Sequence, residues 1–242
     1  YVVAPVEPAA AGAAPHAGAE GESAPLKLTE NECSTIGTEL VHALTRAIMG
    51  PAPEPALWEV DANLRPEGKD GPLVRTVESY VQYYKRWAEN WEFQALLKAR
   101  PIAGSAQLGA RYARAIDPFV WESAGRESFV ESVQAMRARV TDNIPSHQVD
   151  RQIKLGPGGL RDIEFTVQLL QLVHGRTDPA VRTKSTVDSL AALTAVSYIS
   201  RTDAEAFSRD YKKLRVLEHR IQLQQLRRTH LMPEKDLSLI HI

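Results

Sequence analysis

The carboxylates of Glu59-Val60-Asp61-Ala62-Asn63-Leu64-Arg65-Pro66-Glu67-Gly68 form the first group whose spacing suits chemistry. On a strand, Glu59, Asp61 and Asn63 share one face, because side chains alternate with a period of two. Such a face is either wet, as on many antiparallel sheets, or a place where carboxylates hold a metal. Mg²⁺ suits the second case, since it takes carboxylate oxygens and leaves room for phosphate oxygens. From spacing alone the wet face is favoured.

A second group is Ile153-Lys154-Leu155-Gly156-Pro157-Gly158-Gly159-Leu160-Arg161-Asp162-Ile163-Glu164-Phe165. A glycine-rich turn runs straight into a helix, with Lys154 before it and Arg161 in the first helical turn. Free backbone N–H groups and the helix dipole at such a start favour an anion. The plainer account is that the glycines allow a tight turn and close packing, with Asp162 and Glu164 as ordinary dipole partners. The Gly-Lys-Ser/Thr ending of a P-loop is absent. A third group is the basic run of Lys212, Lys213, Arg215, His219, Arg220, Arg227 and Arg228. Such a run is usually the solvated face of a helix, here with Leu214, Leu217 and Ile221 on the buried side. Contact with a partner or a nucleotide phosphate is the sharper alternative. His16 and His42 stand alone, and His230 has no Cys or His close in sequence, so no histidine metal cluster is expected. Cys33 lacks a nucleophile context and is expected as a small buried side chain.

The elements around these groups follow from periodicity. Leu57–Leu64 alternates apolar and polar residues, which predicts a half-buried strand. Residues 65–72 are a turn by composition, and Leu73–Thr76 a short return strand. Tyr1-Val2-Val3-Ala4 has the character of a strand's end. Ile36, Leu40, Val41, Leu44 and Ile48 predict a helix over 31–49, capped by Thr29 or Asn31 and stopped at Gly50-Pro51. Helices are also predicted over 77–99, with Tyr80, Tyr84, Trp87, Trp91 and Leu97 along one face, and over 127–141, 159–174, 184–199 and 203–230. No strand signal follows Thr76. The fold class is an α/β remnant followed by an all-α helical bundle, mostly helical overall. Residues 1–100 form the first domain, with 4–30 as a flexible loop rich in Ala, Pro and Gly. Residues 101–233 form the helical bundle domain.

Composition bounds the function class. The chain has 242 residues, 29 basic and 30 acidic side chains and a formal net charge of −1. A protein that coats nucleic acid would carry a basic excess, so nucleic-acid binding is set aside. No apolar run approaches the ~20 residues that cross a bilayer, so no membrane partner is expected. A single cysteine forms no internal disulfide, which favours a reducing cytoplasm. Residues 237–242 break the preceding charged helical pattern and are expected to be a non-native tail, translated from a sequencing adaptor.

Taken together, several strings resemble the bifunctional glutamine synthetase adenylyltransferase/adenylyl-removing enzyme family, in wording similar to its actinobacterial members. They are Trp58–Gly68, Gly71-Pro72-Leu73-Val74-Arg75, Trp87–Arg100, Ile153–Phe165, Gln168–Gly175 and Leu217–Leu223, in the family's order. The resemblance runs over residues 57–233. It implies two homologous nucleotidyltransferase halves, each followed by a helical domain. One half attaches AMP from ATP to a tyrosine of glutamine synthetase; the other removes it by phosphorolysis and gives ADP. The string at 154–165 looks like that of the first, adenylyl-removing half. Residues 1–100 then resemble a truncated nucleotidyltransferase domain.

The resemblance further implies Mg²⁺ held by three aspartates. Asp61 matches the third, and the other two are expected before Tyr1, which would leave the chain inactive by itself. Glu59 is a further candidate metal ligand, and Arg65, four residues after Asp61, a candidate phosphate contact beside Lys154 and Arg161. The implied partners are glutamine synthetase as protein substrate, the PII signalling protein through the parent enzyme, phosphate and ADP or ATP. The adenylylating half, and a helical module that docks glutamine synthetase or PII without chemistry, are the alternatives. A PII uridylyltransferase shares the fold but is expected to lack the Lys154–Gly159 string.

Overall fold

The computed structural model describes residues 2–3, 28–51, 59–225 and 228–234. The loop expected within 4–30 lies almost wholly outside these residues, as do Leu57, Trp58 and the tail 237–242. Two compact units emerge, one of residues 1–87 and 101–116, the other of 88–100 and 117–242.

In the first unit a two-residue strand, β1 (Val2–Val3), pairs in parallel with β2 (Val74–Arg75), Val2 opposite Val74. The long helix α1 (Glu30–Met49) packs on them. Thr29 is its cap: the Thr29 hydroxyl accepts from the Glu32 N–H, and the Glu32 carboxylate accepts from the Thr29 N–H at 2.8 Å. This reciprocal box satisfies donors that the helix start leaves open. Its inner face is Cys33, Gly37 and Val41, while Ile36, Leu40, Leu44 and Ile48 are exposed. Gly37 decides which face turns in, because a Cβ there would sit 2.8 Å from Val74 Cγ1. Cys33 is buried, as its sequence context suggested.

The helix predicted over 77–99 divides. α2 (Val77–Arg86) ends at Trp87, and α3 (Asn90–Leu96) starts afresh from a capping box between Glu89 and Glu92. The break puts Trp87 off the shared face, and it is 72% exposed. α4 (Ala106–Glu122), which no expectation covered, carries Pro118 in its interior. Proline removes a backbone donor there, and the division between the units falls nearby, after Ile116.

The second unit is helical among its described residues. It contains α3, the end of α4, α5 (Phe129–Asp142), α6 (Leu160–Gly175), α7 (Thr186–Ala195) and α8 (Arg201–Gln225). An isolated bridge joins Gln152 to Leu231. Leu160, Ile163, Val167, Leu190, Leu193, Ala204 and Tyr211 close the core between α6, α7 and α8. The amide of Gln171 is fully buried and donates to Val181 O (2.7 Å) and Thr183 O (2.9 Å), fastening the α6–α7 connection. Gly175 lets the Trp121 ring lie against α6: an added Cβ would stand 2.7 Å from Cε3 and Cζ3. Gly175→Ala should therefore lower stability by about 1–3 kcal/mol, read as a fall in denaturant midpoint at unchanged slope.

The strand expected over Leu57–Leu64 is absent from the described part, residues 59–64. The reason is local. Asp61 Oδ1 accepts the Asn63 N–H at 2.9 Å, and Arg65 Nη1 donates to Ala62 O at 2.6 Å. These bonds occupy backbone groups that a ladder would need. The alternation survives without the ladder, since Glu59, Asp61 and Asn63 are exposed and Val60 and Ala62 half-buried.

Candidate functional site

Asp61 sits on the surface of the first unit, in the chain that leads to the 65–72 turn. One carboxylate oxygen holds the Asn63 amide. Glu59 is exposed two residues earlier. The turn is built by Arg65, whose Nε and Nη2 both donate to Gly71 O (3.3 and 3.1 Å) while Nη2 also reaches Lys69 O at 3.3 Å. Glu67 and Gly68 both have positive φ, 61° and 56°. The Glu67 carboxylate is thereby placed on the Arg75 guanidinium. Arg75 also donates to Ser79 Oγ at 3.1 Å and lies over the Tyr83 ring. Arg65 thus spends its donors on the turn, and Arg75, at the end of β2, is the guanidinium that the sequence reading passed over.

Among the described residues no three His, Cys, Asp or Glu side chains stand close enough to hold a metal ion. Asp61 fits as a single ligand, because it is exposed and, among the described residues, one of its oxygens is engaged, by the Asn63 N–H. Further carboxylates would be needed to complete a Mg²⁺ site.

The second unit contains the glycine turn. Its helix start is closed by its own chain: Leu160 N–H donates to Ile153 O (3.0 Å), Arg161 N–H to Lys154 O (2.9 Å) and Asp162 N–H to Gly159 O (3.1 Å). Gly158, at φ 71°, donates its N–H to Asp162 Oδ2 at 2.7 Å. Arg137 of α5 pairs with the same carboxylate and donates to Gly156 O at 3.3 Å. Arg161 lies over the Phe165 ring, 5.5 Å from its centre. The donors that would cradle an anion are therefore engaged, and the observed turn is the tight, self-bonded kind.

Lys154 points at a different group. Its Nζ is 3.4 Å from Glu218 Oε1, and Glu218 of α8 is only 1% exposed. Arg215 Nη1 is 2.5 Å from Glu218 Oε2, and His230 Nδ1 is 2.8 Å from Oε1. Arg215 also reaches Glu164 Oε1 through Nη2 at 3.1 Å, and the Tyr211 hydroxyl donates to the same oxygen at 3.1 Å. Burial opposes ionisation of Glu218, but His230, Arg215 and Lys154 outweigh it and bring its carboxyl down to about 2. Of the basic run, Lys212, Lys213, His219, Arg220 and Arg228 are exposed, as a solvated face requires, and Arg227 lies outside the described residues. Arg215 is the exception; its Leu-rich neighbours hid it in the sequence, and only an acidic residue at helical spacing, Glu218, hinted at a pair. Lys98, after α3, adds a half-buried lysine: Nζ donates to Lys184 O (2.7 Å) and Thr186 Oγ1 (3.2 Å), and burial lowers its pKa against the partial offset of Glu164.

With this geometry in place, comparison with known proteins gives consistent matches. Residues 21–115 match the family model described as glutamate-ammonia ligase adenylyltransferase. Residues 134–241 match the one described as GlnD PII-uridylyltransferase. That second match spans Lys154–Gly159. A protein of Leifsonia xyli subsp. xyli, named bifunctional glutamine synthetase adenylyltransferase/adenylyl-removing enzyme, is 63% identical over 84% of this chain and 20% of its own length. Proteins of the same name from Streptomyces coelicolor and Mycobacterium tuberculosis are 56% and 59% identical over 87% and 75% of this chain. The chain spans about one-fifth of the length of these relatives.

Proposed function

The chain belongs to the family of bifunctional glutamine synthetase adenylyltransferase/adenylyl-removing enzymes, and on that premise we propose that it is part of the adenylyl-removing half of such an enzyme. The observation that carries the reading is the 63% identity to a relative of that name across most of the chain. The half is supported by the string Lys154–Phe165, which resembles the first half of the family. The substrate is then glutamine synthetase carrying AMP on a tyrosine, and PII is the regulatory partner. An oxygen of inorganic phosphate attacks the phosphorus of AMP, the bond to the tyrosine oxygen breaks, the tyrosine regains its proton, and ADP leaves. This chemistry belongs to the cytoplasm, and no described helix is long and apolar enough to cross a membrane.

Asp61 is the residue we assign to the reaction, with Glu59 beside it as a second carboxylate. Bound Mg²⁺ would neutralise charge on the phosphate oxygens. Arg65 is the proposed phosphate contact, turning a donor from its own turn outward. Lys154 and Arg161 would reach a phosphate by exchanging Glu218 and the Phe165 ring for it. Because Asp61 needs further carboxylates, we propose that this chain is inactive by itself and test it as part of the longer enzyme. That enzyme is incubated with adenylylated glutamine synthetase, Mg²⁺ and phosphate, after removal of nucleotides. ADP that appears only with phosphate supports the reading. AMP transfer from ATP to unmodified glutamine synthetase, dependent on these residues, moves the chain to the adenylylating half. Binding of either protein without chemistry makes it a docking module.

A further inference from the structure

The residues after α8 run beside the glycine turn. Ile153 N–H donates to His230 O (3.1 Å) and Met232 N–H to Arg151 O (2.9 Å). Arg151 returns Nε to Met232 O (2.8 Å) and Nη1 to Glu234 (2.7 Å). Gln222 Nε2 donates to Thr229 O at 3.3 Å. No residue from 228 to 234 is fully buried. A segment held by polar contacts with little apolar burial opens locally at far lower cost than a core.

The oxygens of Glu218 are divided. Oε2 takes Arg215, while Oε1 faces both Lys154, which precedes the glycine turn, and His230, which belongs to the segment. We propose that residues 228–234 are a releasable strap, and that Glu218 Oε1 couples its docking to the position of Lys154. Lys154 Nζ and His230 Nδ1 compete for one oxygen, so the departure of either leaves Glu218 Oε1 to the other. Coupling of this kind is reciprocal. The far side of the turn is held separately by Arg137 on Asp162, so Lys154 can shift while the turn persists. The strap is thereby a two-state element that reports to the residue before the glycine turn. The assignment stands whatever reaction the parent enzyme performs.

The test is amide hydrogen exchange at Met232 in the whole chain, with Leu172, Leu190 and Ile221 as core references; each of these three is buried to 1% exposure or less. Each variant leaves Glu218 two of its three basic partners, so the fold should persist. His230→Ala should speed exchange at Met232 about tenfold, the loss of one charge-assisted contact, with the references unchanged. Lys154→Met should slow it several-fold, because His230 then has Oε1 to itself. A merely structural cluster would make both variants faster, and that result would overturn the coupling. An unchanged rate in Lys154→Met would do the same. An unchanged rate in His230→Ala would overturn the strap.

Discussion

In the longer enzyme, Asp61→Asn should lower phosphate-dependent ADP release by on the order of a thousandfold, while binding of adenylylated glutamine synthetase stays near its original strength. The substitution keeps size and the ability to accept the Asn63 N–H, so the local turn should survive. What it removes is one negative charge on an exposed carboxylate. A metal ligand is worth most where charge builds up on phosphate oxygens, so the loss falls on turnover rather than on binding. Initial rates of ADP formation, with a binding measurement on the same preparation, separate the two. Full activity in Asp61→Asn would sink the site and leave the family assignment standing. Tighter or weaker binding with unchanged turnover would favour the docking module.

The second large effect is on stability. Glu218→Gln should cost about 3–5 kcal/mol, because it leaves Lys154, Arg215 and His230 around a neutral amide. In a chain of this size that is a fall in Tm of about 10 °C. The pH dependence has a definite sign. The carboxyl lies at about 2 in the folded chain against an ordinary value of 4.5, so the folded state favours its ionised form. The contribution, about 3 kcal/mol, is complete above pH 4.5 and is lost as pH falls from there towards 2. Denaturant melts of the native chain and Glu218→Gln at pH 7 and at pH 3 should therefore converge as the solution becomes acid. A gap between them that is the same at both pH values would show that Glu218 contributes packing and not charge.

Several parts of the architecture could be read directly from the residues. Thr29 was one of the two caps the residues offered, beside Asn31, and the structure selects it; the stop at Gly50 follows from backbone rules. Of the face expected on α5, Phe129 and Val133 are buried and Met136 and Val140 half-buried, and Ile221 of α8 is buried as its spacing predicts. Other parts escaped. The break at Trp87 was masked by aromatic residues that continue the helical period, whereas α4 carries an apolar row, Leu108, Tyr112, Ile116 and Val120, that the sequence reading passed over. The exposed Ile36–Ile48 row of α1 obeys the periodicity yet faces solvent, because the approach of β2 selects the Gly37 side.

What the sequence determined by itself is most of the long helices and the family. Both depend on short-range order of residues: capping, helical period, turn composition, and strings such as Lys154–Phe165. What only the tertiary structure decided is which charges meet. Lys154, Arg215, Glu218 and His230 span 76 positions from first to last (230 − 154), and nothing in their spacing announces that they enclose one buried carboxylate. Burial raises the strength of each such contact and the cost of leaving it unmade, and burial is created only when α6, α8 and the strap come together.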